Sequence, residues 1–169
     1  MRLFYILFFA FITSTTFGQN FIYNGNKAIP STQTWFFTLN KSNLWACQLL
    51  VSVGKSKAGG YLMLSVGTAN KGESISKNVF IILKDGSTIS LSNKVATDYL
   101  DEKSQVLYSI TPSQLSKLKS SNIDTIRFFV TGTSIGMAGS HSASNIRMGD
   151  RLGTYEPGWE TALEISDIK

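Results

Sequence analysis

Few side chains in this sequence can do acid–base, nucleophilic or metal chemistry: eleven carboxylates, one histidine and one cysteine among 169 residues. His141 lies in Gly139-Ser140-His141-Ser142. A lone histidine far from the lone cysteine does not assemble a tetrahedral zinc site without help from carboxylates. Serines are plentiful enough for a Ser-His-Asp arrangement, but no nucleophile elbow is expected to present one, so His141 reads as a solvated loop residue. Gly54-Lys55-Ser56 resembles the end of a phosphate-binding loop, yet the glycine needed five positions earlier is Leu49. A strand-like Gly60-Tyr61-Leu62-Met63-Leu64 follows instead of a helix, so nucleotide binding is not expected. Cys47 sits in an apolar run and reads as a buried structural thiol, with no second cysteine to pair with.

Asp98, Asp101 and Glu102 form the one local acidic cluster and are the candidate metal ligands. Calcium takes several oxygens from a flexible loop, but this spacing is not that of an EF-hand, and a charged turn explains it equally. No cofactor is expected. Asp150, Glu156, Glu160 and Glu164 could supply a carboxylate pair for glycoside hydrolysis, though spacing alone singles out no pair. Tyr155, Trp159 and Trp35 could stack on sugar rings, with nearby polar groups fixing orientation. Trp159, in Glu156-Pro157-Gly158-Trp159-Glu160, has turn residues and acids as neighbours and is expected at the surface. The candidate binding set is therefore Trp159, Tyr155, His141 and Asp150.

The elements that must position these residues read most clearly between Val79 and Val130. Val79 to Leu83 is a short apolar run, expected as a buried strand. Asp85-Gly86 supplies a hairpin turn, and Thr88 to Ser92 alternates like a half-wet strand. An acidic loop and a strand from Gln105 to Ile110 follow. Thr111-Pro112-Ser113-Gln114 predicts a helix start with a capping box. The helix should run from Pro112 to Ser121, face the core with Leu115 and Leu118, and end at Asn122 in a left-handed conformation. Ile123 to Thr131 is a strand with Ile126, Phe128 and Val130 on one face and Arg127 and Phe129 on the other. The helix is expected to cap the open end of a β-sandwich rather than cross over between parallel neighbours.

Elsewhere, strands are expected at Gln33 to Leu39, Leu44 to Val53 and Gly60 to Val66. Asn20 to Thr32 reads as a leading arm or edge segment. Gly132 to Gly153 reads as long loops with one or two short strands, and Ala162 to Ile165 as a possible last strand. The fold class is mostly β: one sandwich-like domain over 19–169 with one short helix.

Met1-Arg2 followed by the apolar Leu3 to Ile12 and small residues up to Gly18 has the form of a secretory signal peptide over 1–18. The apolar stretch is too short to span a bilayer, and no other run is long enough. The net charge of +5 is scattered, without a basic run, which gives nucleic-acid binding no support. The leader with its Phe17-Gly18-Gln19 junction, the hairpin Lys84-Asp85-Gly86-Ser87-Thr88-Ile89-Ser90-Leu91, and Tyr108 to Leu115 with Ile123 to Phe128 resemble small secreted β-rich proteins of Bacteroidota. The resemblance implies export, to periplasm, cell surface or medium, and implies neither an activity nor site residues. The functional expectation is a non-catalytic exported domain that binds a glycan or a surface protein through Gly132 to Trp159. The alternatives are a small secreted hydrolase using carboxylates or His141, and an assembly subunit pairing through an edge strand.

Overall fold

The computed structural model describes residues 19–40, 48–68, 71–76, 78–132, 138–149 and 154–169. The leader, Cys47 and Asp150 lie outside the described residues. The strands are β1 (Asn20–Asn24), β2 (Lys27–Ser31), β3 (Trp35–Leu39), β4 (Gln48–Ser56), β5 (Gly59–Gly67), β6 (Ser74–Ile75), β7 (Val79–Leu83), β8 (Thr88–Leu91), β9 (Lys94–Leu100), β10 (Lys103–Ile110), β11 (Ile123–Thr131), β12 (Gly139–Ser144), β13 (Arg147–Met148) and β14 (Tyr155–Glu156). The helices are α1 (Pro112–Ser120) and α2 (Thr161–Ser166).

The chain is mostly β, as expected, but it is a nearly closed barrel with two short helices rather than a sandwich with one. Nine strands follow one continuous path, β8-β7-β11-β12-β3-β4-β5-β10-β9, with antiparallel neighbours throughout. The strand that turns two layers into one wall is β12. Its serine-rich sequence carries little strand signal, yet its backbone pairs with β11 from Gly139 to Ser144 and with β3 at Ala143 and Ser144. Trp35, Phe37, Val51, Leu62, Leu64, Tyr108, Phe128 and Val130 point inward into one core.

The end strands of the path, β8 and β9, do not pair with each other, and β6 lies off the path beside the gap between them. Its backbone pairs with the last residues of β11, and Ser76 N–H donates to the Phe129 carbonyl at 2.6 Å. From the opposite side, Lys94 Nζ donates to the Ile75 carbonyl at 2.9 Å and the Tyr108 hydroxyl donates to the Ser76 carbonyl. The chain itself crosses the same seam between β8 and β9, through Ser92 and Asn93. β9 was expected as an acidic loop. Residues 95–98 are all exposed, so no inward-facing alternation marks it in the sequence.

α1 starts as its sequence dictates. Gln114 N–H donates to Thr111 Oγ1 at 3.3 Å, and Thr111 N–H to Gln114 Oε1 at 2.9 Å. Leu115 and Leu118 are buried. β10 and β11 are not paired, so α1 spans one end of the barrel rather than crossing over between neighbours. The residues expected as a last strand form α2 instead. Thr161, Ile165 and Ile168 are buried, at i, i+4 and i+7, which is a helical stripe rather than strand alternation. α2 packs on α1, and both insert leucine or isoleucine side chains into the barrel core.

The helix end also differs from expectation. Ser121 is the C-cap in extended backbone, and Asn122 works through its side chain. Asn122 Oδ1 accepts from Ala162 N–H at 2.8 Å, capping α2 from another part of the chain. The leading arm is a hairpin, β1–β2, turned at Gly25 with φ +58°. It lies on the outside of the barrel, where Ile22, Ile29 and Leu107 form a second small core. A Cβ on Gly54 would stand 2.6 Å from Ile22 Cδ1, so glycine is what lets the hairpin lie flat there.

Tyr108→Phe is expected to lower stability by about 1–3 kcal/mol, because it leaves the buried end of the seam without its donor. Burial pushes the Tyr108 phenol above its ordinary value near 10. The neutral phenol is therefore favoured in the fold. Its contribution is complete below pH 10 and is lost as pH rises through the folded value. Melting temperatures between about pH 8 and pH 11 should fall less steeply for Tyr108→Phe than for the native chain.

Candidate functional site

Of the sequence-predicted binding residues that are described, His141 is buried while Tyr155 and Trp159 reach the surface. Trp159 is half-buried and packs against the main core. Its indole N–H reaches the Phe36 carbonyl at 3.5 Å, and the Arg147 guanidinium lies 5.2 Å from its ring centroid. Arg147 is itself held by the Pro157 carbonyl at 3.0 Å and by Glu156 at 3.0 Å. One face of the indole is thus taken by a cation, and part of the remainder packs on the core. Tyr155 stays exposed on β14, paired with Met148.

His141 is not a solvated loop residue. It lies on β12 at 3% exposure, stacked on Phe128 with centroids 5.4 Å apart. Strand alternation sends it inward from a segment read as loop.

Gly132-Thr133-Ser134-Ile135-Gly136 does carry the Gly-x-Ser-x-Gly spacing, contrary to the expectation of no elbow. That motif presents a nucleophile where a strand turns into a helix. Here it joins two antiparallel strands, β11 and β12, and residues 133–137 lie outside the described residues.

The carboxylates have structural partners. Glu164 accepts from Trp35 Nε1 at 2.9 Å and from Gln33 Nε2 at 3.0 Å. Glu160 accepts from Asn122 Nδ2 at 2.6 Å. Asp101 and Glu102 form the two-residue turn of the β9–β10 hairpin, at φ +50° and +58°. Asp98 accepts from the Tyr99 N–H at 2.7 Å. Among the described residues, no group of three or more His, Cys, Asp or Glu is placed to hold a metal.

A different surface carries exposed aromatic rings: the outer face of β7, β11 and β12. Alternation in β11 sends Ile126, Phe128 and Val130 inward, and Arg127 and Phe129 outward. Phe80 on β7 stands directly opposite Arg127, and Ser140 on β12 opposite Phe129. Phe80 and Phe129 are 42% and 46% exposed. As diagonal neighbours across two strands, their Cβ atoms lie roughly 7–8 Å apart. With Ile82, Thr88, Ser76 and Asn78 they line a depression of about 560 Å³. Ser76 and Asn78 also line a second depression of about 480 Å³, bounded by Ser74, Ile75, Lys94 and Thr131. The two adjoin at Ser76 and Asn78, in the stretch between β6 and β7, as an open trough on the outer wall.

The Arg127 side chain makes no hydrogen bond or ion pair with the described residues. The outward placing of Arg127 and Phe129 is legible in the alternation of β11. Phe80 is not, because Val79 to Leu83 reads as buried on both faces. Comparison with known proteins finds no matching family model, no matching curated protein and no matching solved structure.

Trp159→Ala is expected to cost about 2–3 kcal/mol of stability, less than a fully buried tryptophan because the ring is half-covered. Thermal or urea unfolding measures that loss. Ligand titration of the same variant should show unchanged affinity, since Trp159 stands outside the trough.

Proposed function

We propose that this protein is an exported, non-catalytic carbohydrate-binding domain, with the ligand lying along the outer face of β7, β11 and β12. The observation that carries this reading is the pair of phenyl rings, Phe80 and Phe129, half-exposed on one open sheet face around Arg127. The apolar C–H face of a sugar ring packs against an aromatic surface. Hydroxyl and amide groups at the edges then select its orientation. Ser76, Asn78, Thr88 and Ser140 stand at those edges. Strand backbones hold the aromatic residues in fixed register, so little ordering is left to occur on binding. No helix among the described residues is long and apolar enough to cross a membrane. The export half of the proposal rests on the leader-like residues 1–18.

The test is titration calorimetry of the mature chain against a panel of polysaccharides, with Phe80→Ala and Phe129→Ala singly and together. Each ring removed should weaken binding by about 2- to 12-fold, the equivalent of roughly 0.5–1.5 kcal/mol. Melting temperatures should stay within about 0.5 kcal/mol of native stability, as for exposed positions generally. Unchanged affinity in the double variant contradicts the site. Binding to a protein partner and to no glycan contradicts the carbohydrate reading.

A further inference from the structure

We infer that the trough takes an internal stretch of an acidic polysaccharide, one bearing uronate carboxylates or sulfate esters. The inference rests on the carbohydrate reading above and adds the charge and the chain topology of the ligand. Arg127 stands in the wall of the larger depression, exposed and without a protein partner among the described residues. A guanidinium offers a planar fork of donors that matches a carboxylate or sulfate in bidentate geometry. Phe80 lies directly across the strand pair from it, so a ring stacked there brings its acidic substituent within reach of the fork.

Lys94 places a second cation in the adjoining depression, anchored at 2.9 Å on the Ile75 carbonyl. Among the described residues, no carboxylate lines either depression. The other polar lining groups are hydroxyls and one carboxamide, all able to donate. Without the leader's Arg2 the chain carries 15 − 11 = +4, which adds a long-range field of the same sign. The two depressions share Ser76 and Asn78 and so lie side by side, which suits an extended chain more than a chain end. A polymer lies along the trough rather than ending in it. The two cations among the described lining residues are too few for duplex DNA, where affinity comes from many neutralised phosphates.

The experiment compares the intact mature chain with Arg127→Gln, Arg127→Lys and the double phenylalanine variant. The probes are polygalacturonate, a sulfated galactan, a neutral galactomannan and duplex DNA, each titrated at about 50 and about 500 mM salt, where screening lengths differ several-fold. Native protein should prefer the two acidic polysaccharides and lose affinity at high salt. Arg127→Gln should lose roughly tenfold or more on them, as expected for a hydrogen bond to a charged group, and nothing on the neutral polymer. Arg127→Lys should recover part of the loss, because the charge returns without the fork. Equal binding of neutral and acidic polymers, or an Arg127→Gln variant indistinguishable from native, overturns the charge inference. The carbohydrate reading then stands if the double phenylalanine variant still loses binding. DNA binding as tight as that of the polysaccharides overturns it in favour of an unspecific polyanion surface. Absence of binding to every polysaccharide overturns both.

Discussion

The unpaired backbone groups at the two ends of a curled sheet set the terms for the rest of this fold. An open sheet leaves a row of donors and acceptors at each edge, and here β8 and β9 stay unpaired with each other while residues 74–76 bridge the gap between β11 and the β9–β10 side. β6 satisfies β11 through backbone hydrogen bonds, while Lys94 and Tyr108 reach it from the far side. Closure gives every strand an inside and an outside. Ile126, Phe128 and Val130 fill the interior, and the pleat then requires Arg127 and Phe129 to face out. The trough follows from the same device. The strand that closes the seam is interrupted between Ile75 and Val79, and the break leaves the space that Ser76 and Asn78 line.

The closed wall still has an end to be covered, and two asparagines organise the cover. Asn145 donates to the Ile123 and Trp159 carbonyls and accepts from the Trp159 N–H at 2.8 Å. Gly158 passes so close that a Cβ there would sit 2.0 Å from the Asn145 carbonyl oxygen. Asn122 caps α2, and Thr161 Oγ1 accepts from the Ile123 N–H at 2.8 Å. Glu164 then ties α2 to the fully buried Trp35. Polar residues that could be mistaken for a catalytic set thus hold the C-terminal segment against the barrel. Each buried partner here is expensive to leave unsatisfied, which fixes the segment in one position.

Local chemistry was legible in the sequence, and long-range closure was not. The Thr111–Gln114 capping box, the inward Leu115 and Leu118, and the two faces of β11 all follow from residue type and period. The Asp85-Gly86 turn is present, although only Gly86 takes a positive φ, at +83°. The Asn24-Gly25 pair offered an equally good hairpin signal that the reading of residues 20–32 as an arm passed over. β9 and β12 were hidden for opposite reasons. β9 exposes nearly all its side chains, and β12 is made of small and polar residues whose pairing is carried by backbone alone. Missing β12 turned a barrel into a sandwich and put His141 in solvent. The candidate site was half visible, because Arg127 and Phe129 share a face by alternation while Phe80 joins them only through the register of β7 on β11.

The central claim is that the working surface is the outer wall at the barrel seam, not the C-terminal segment around Trp159. Backbone amide chemical-shift mapping of the isotope-labelled mature chain, titrated with an acidic oligosaccharide, tests it most directly. The account predicts shifts concentrated at Ser76, Phe80, Arg127, Phe129 and Ser140, with Tyr155 and Trp159 unmoved. Shifts centred on Tyr155 and Trp159, with the seam silent, contradict it.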